Sequence, residues 1–85
     1  MTITNCTFIP PDGVENVADV AVTFDGIITV EACIYREQSS KSKRRGFVVS
    51  WPDEACFRSQ YLENYYTGEV IDRYFDWKNE NNLEF

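Results

Sequence analysis

Five cations crowd into ten residues of a chain that is otherwise acidic. Arg36, Lys41, Lys43, Arg44 and Arg45 share the stretch 36–45 with a single carboxylate, Glu37. Residues 1–35 hold five acids and no base, and residues 46–85 hold eight acids against three bases. Closely spaced Lys and Arg release condensed counterions when they contact phosphates, so this run suits nucleic-acid binding, with Tyr35, Phe47 and Trp51 beside it as rings on which bases can stack if they lie on an open sheet face. The plain structural alternative is a solvated loop whose lysines keep a sheet edge from pairing with another chain. The negative charge on either side restricts any contact to a focal, salt-sensitive one.

A second constellation has the opposite sign. Glu69, Asp72, Asp76 and Glu80 stand three or four residues apart and share one face of a helix. Such a stripe offers a binding surface to a basic protein, as in small phage or mobile-element inhibitors that imitate DNA. The bland reading is an ordinary solvated face opposite an apolar stripe.

Catalysis has little to stand on. The chain has no histidine, which removes the commonest general base and the usual partner of a Ser or Cys nucleophile. Neighbouring acids such as Asp53 with Glu54, or Asp12 with Glu15, suggest no third metal ligand and no arrangement that separates two carboxylate pKa values. Cys6, Cys33 and Cys56 are odd in number and lack CxxC spacing, so they read as reduced thiols, small buried apolar side chains. The expectation is a binding protein with no catalytic residue, no metal and no cofactor. Without a secretory signal, the expected location is the cytoplasm.

These residues must be positioned by a small scaffold. The chain has 85 residues, a net charge of −6, 44% apolar and 15% aromatic content. That suffices for one folded domain over 1–85 with a modest core, and no apolar run approaches the roughly 18 residues that cross a bilayer. Val17 to Phe24 and Ile27 to Tyr35 are β-rich runs joined by Asp25-Gly26, the dipeptide favoured in type I′ turns, which predicts a β-hairpin. Val20, Val22 and Phe24 share one face, as do Ile28, Val30, Ala32 and Ile34, and this is the expected core side. Thr2 to Ile9, ending at Pro10-Pro11-Asp12-Gly13, supplies a first strand, and Phe47 to Trp51, ending at Pro52, a fourth.

Residues 53–66 fit either a helix or an aromatic loop. From Thr67, taken as a cap, Val70, Ile71, Tyr74, Phe75 and Trp77 form an apolar stripe that predicts a C-terminal helix on the sheet, with a polar tail from Asn79 to Asn82. The fold class expected is α+β, an antiparallel sheet of about four strands with a C-terminal helix, ββββα. One helix leaves the other sheet face bare, and Thr29, Cys33, Tyr35 and Val48 are apolar enough there to favour a homodimer.

The order ITNCTF, AVTFDGIITVEACIY, GFVVSWP, the pair Phe57-Arg58 and the segment VIDRYF resembles the SpoVG family of small bacterial DNA-binding regulators, over about 70 residues and at the level of pattern. The resemblance implies a SpoVG-like fold and a dimer. Pro52 and Phe57 are the matching positions, both structural. Asp53-Glu54-Ala55 stands where the family has Ser and basic residues after its proline, the family's His-Pro stretch is missing, and the basic charge precedes the fourth strand here.

Overall fold

In the computed structural model, residues 1–11, 16–36 and 45–81 are described. Four antiparallel strands form one sheet in the order β1-β2-β3-β4, comprising β1 (Ile3–Ile9), β2 (Ala18–Phe24), β3 (Ile28–Arg36) and β4 (Phe47–Ser50), and the helix α1 (Gln60–Glu80) follows. The architecture is the α+β ββββα arrangement expected. Lys41, Lys43 and Arg44 lie outside the described residues, as do Asp12 and Glu15.

The period-2 pattern sets the layers. Ala18, Val20, Val22 and Phe24 of β2 and Val30, Ala32 and Ile34 of β3 are buried beneath α1, while the alternate residues face away. Asp25 and Gly26 take φ of 54° and 69°, the paired left-handed conformation of a type I′ turn, and Ile27 N–H closes it on Phe24 O at 3.0 Å. The ladder resumes at Phe24↔Ile28, so Ile27 is a third loop residue, 83% exposed. Ile28 shares the core parity but lies 55% exposed beside the turn, outside the core it was expected to join.

β1 closes over this turn. Thr2 N–H donates to Asp25 Oδ1 and Asp25 N–H to Thr2 O, both at 2.8 Å, and Gly26 N–H donates to Thr4 Oγ1 at 2.9 Å. A register irregularity between Ile3 and Asn5 lets Ile3, Cys6 and Phe8 all turn toward the helix. On the far edge the helix itself donates to this strand and to the residue leading into it, Arg73 to Ile3 O and Tyr66 Oη to Met1 O, which occupies carbonyls that would otherwise template pairing.

The helix begins earlier than Thr67. Ser59, extended at φ −153° and ψ 160°, caps it by accepting from Leu62 N–H at 3.2 Å, and Glu63 lies in the first turn. Thr67 is mid-helix and 2% exposed, accepting the indole N–H of Trp51. A hydroxyl satisfied from outside has no need to cap, so residues 60–66 stay helical. At the other end the helix runs through Asn79 to Glu80 in place of a tail, and Asn81 Nδ2 donates to Trp77 O.

Candidate nucleic-acid interface

The helix crosses the sheet over two groups of rings. At its start Tyr66 packs edge-on to Phe24, and Phe57 stacks on Tyr66 and meets Trp51. At its end Tyr74, Phe75 and Trp77 meet Phe8 of β1 and Phe47 of β4. Phe47 and Trp51 therefore belong to the helix-covered face. They are not stacking platforms on an open sheet; of the three rings proposed for that role, Tyr35 alone lies on the uncovered side, opposite Val48.

The second ring group carries the basic residues. Arg36 is the cross-strand partner of Phe47, and its guanidinium carbon stands 5.2 Å from that ring's centre. Arg45 enters β4 as a left-handed residue, φ 57°, followed by Gly46 at φ 84°, and its guanidinium carbon lies 4.7 Å from the centre of Phe75. Left-handed backbone costs a residue with a Cβ about 1–2 kcal/mol, so the turn stores strain in the conformation that carries Arg45 to the ring. Lys78 completes the set, its Nζ 5.7 Å from Phe75 and 6.0 Å from Tyr74.

The rings of Phe47, Tyr74 and Phe75 touch, with centres 5.3–5.7 Å apart, so three cations from β3, the turn before β4 and α1 converge on one aromatic cluster. Among the described residues none of the three is in an ion pair, whereas Arg73 pairs with Glu69 at 3.2 Å. The phenol of Tyr74 is pushed up by burial, with Arg36 pulling it the other way.

Lys78 was not singled out from the sequence. Its signal was present: it lies three residues after Phe75 and four after Tyr74, on the side of the helix that carries both rings. Arg36 and Arg45, the two described members of the basic run, each stand over a ring of this cluster.

The acidic stripe also forms. Glu69, Asp72, Asp76 and Glu80 follow one line of α1 away from the buried Val70, Ile71 and Tyr74, and Tyr61 and Tyr65 continue that line, 76% and 56% exposed. Glu69 is tied to Arg73 within the stripe. The third tyrosine of this region, Tyr66, is in the core.

On the bare side of the sheet Thr23 and Thr29 share a hydrogen bond at 2.9 Å, and Cys33 Sγ donates to Asp19 at 3.2 Å. A shallow hollow of about 420 Å³ there is lined by Ile9, Asp19, Ala21, Glu31 and Cys33, among others. Cys6 lies under the helix, where burial pushes its thiol up to about 11 against the opposing pull of Arg73. No group of three His, Cys, Asp or Glu among the described residues could hold a metal ion, and no described helix is long and apolar enough to cross a membrane. No family model, no curated protein and no solved structure matches the chain.

Proposed function

We propose that this chain is a small non-enzymatic nucleic-acid-binding regulatory protein, SpoVG-like and cytoplasmic, acting through Arg36, Lys41, Lys43, Arg44 and Arg45 together with Lys78. The observation that carries the reading is the convergence of Arg36, Arg45 and Lys78, none of them in an ion pair among the described residues, on three touching rings in a protein of net charge −6. Like charges gathered in this way raise the local potential, and an anion relieves it. The rings hold the cations in place, so little side-chain entropy is lost when a phosphate arrives. Lys41, Lys43 and Arg44 stand between Arg36 and Arg45 in the sequence. A second copy packed on the bare sheet face, over Ala21, Cys33, Tyr35 and Val48, would double the number of such sites.

A second reading rests on Tyr61 and Tyr65. Two exposed tyrosines in line with Glu69, Asp72, Asp76 and Glu80 make a ridge that suits a basic protein partner, since tyrosine is favoured in interfaces and carboxylates steer cationic surfaces. Charge reversal separates the two readings. Arg45→Glu with Lys78→Glu is expected to abolish binding to labelled DNA, while Asp76→Lys with Glu80→Lys preserves it. The reverse pattern, with a basic protein as the ligand lost on reversal of the acids, would replace the first reading by the second.

A further inference from the structure

We propose that a second copy of this chain docks, about a twofold axis, on the apolar end of the molecule beside the Asp25-Gly26 turn. Ile28 has the parity of the core side of β3 and is nonetheless 55% exposed. Met1, 68% exposed, and Ile27, 83% exposed, stand at the same end, where Thr2 is bonded to Asp25. Large apolar side chains gathered in this way leave water when another surface covers them.

The shape of this end is self-complementary. Two hollows share a wall made by Met1, Cys56 and Phe57. The larger, about 410 Å³, is bordered on its other side by Arg58 and Leu62. The smaller, about 160 Å³, is bordered by Ile28 and Glu54. A twofold axis through the shared wall lays the smaller side of one copy on the larger side of the other. Ile28 then meets the hollow beside Leu62, Glu54 meets Arg58, and each contact is made twice.

Charge selects the occupant. Glu54 and Arg58 are both exposed, and among the described residues neither is in an ion pair. An acidic foreign surface would suit Arg58 and repel Glu54, and a basic one would do the reverse, whereas a second copy answers both charges at once. Arg36 closes β3 at the end opposite Ile28, so the contact leaves the two cation clusters at the outer ends of the pair. The inference is independent of what those cations bind.

The test is light scattering of the full chain over a range of concentrations. A reversible dimer is expected. Ile28→Asp, a change at an exposed position, is expected to give a monomer with the circular dichroism of the parent. Arg58→Glu is expected to raise the dimer Kd at least about tenfold, and adding Glu54→Arg to the same chain to recover most of that loss. Because Cys56 belongs to the shared wall, a short bismaleimide is expected to join two parent chains and to fail with Cys56→Ser. A parent that stays monomeric at every concentration, or a charge swap that recovers nothing, overturns the inference. A dimer broken by Val48→Asp but not by Ile28→Asp also overturns it and moves the contact to the bare side of the sheet.

Discussion

The indole N–H of Trp51 donates to the hydroxyl of Thr67 across 2.9 Å, joining the chain just past β4 to the middle of α1. Thr67→Val keeps the side chain's shape and removes the acceptor, leaving a part-buried donor without its partner. The expected cost is about 1–3 kcal/mol in urea unfolding, and Thr67→Ser recovers most of it. A Val variant as stable as the parent would show that the bond contributes nothing beyond packing.

Arg45→Gly separates function from folding. Glycine accepts φ near 57° without strain, so the relief offsets the lost stacking on Phe75, and the midpoint of unfolding moves by less than about 1 kcal/mol. Binding to DNA is expected to weaken severalfold in the same protein. Gly46→Ala goes the other way: nothing crowds its Cβ, but φ of 84° strains any L side chain, so stability falls by about 1 kcal/mol.

The helix's hold on the strand edge is separately testable. Tyr66→Phe retains the ring against Phe24 and deletes the bond to Met1 O. Amide exchange at Ile3 and its neighbours is expected to accelerate, with a stability loss of about 1 kcal/mol. Unchanged exchange in β1 would mean that the Tyr66 hydroxyl adds nothing to the hold of the β2 ladder and of Arg73 on the strand.

The cysteines report burial through their chemistry. Cys56 is exposed and is expected to react first with a thiol reagent, whereas the half-buried Cys6, its thiol held neutral, reacts more slowly. The Cys6 thiol is held neutral up to about 11 in the fold but ionises at 9.0 in the unfolded chain, so above pH 9.0 the unfolded chain binds fewer protons and stability falls. The stabilisation from the neutral thiol is complete below pH 9.0 and is lost as pH rises toward 11. The raised Tyr74 phenol acts in the same alkaline direction. The melting temperature is expected to drop over this window in the parent and less steeply in Cys6→Ala; parallel curves would contradict the assignment to Cys6.

The strands were legible because alternation survives burial. Val20, Val22 and Phe24 announce a buried face whatever covers it, and Asp25-Gly26 fixes the turn. Ile27 escaped because the register beyond an I′ turn depends on the ladder as well as on the dipeptide. The helix start was misread at Thr67 because its hydroxyl looks like a cap in sequence and acts as an acceptor for Trp51 in space, 16 residues away. The basic run was visible as charge, but its platform was not. Phe47 and Trp51 have the right identities to stack bases on an open sheet, and only strand parity in three dimensions turns them under the helix. Lys78 joined the site for the same reason, since Phe75 is what brings it to Arg45.

The most direct measurement is anisotropy of labelled single- and double-stranded DNA titrated with the parent protein at two salt concentrations, its oligomeric state fixed by light scattering. The predicted result is binding in the roughly micromolar range that weakens steeply with salt, lost when Arg45 and Lys78 are both reversed to Glu. No binding to either probe at low salt would contradict nucleic-acid recognition at this site, and the ridge from Tyr61 to Glu80 would then be the surface to pursue.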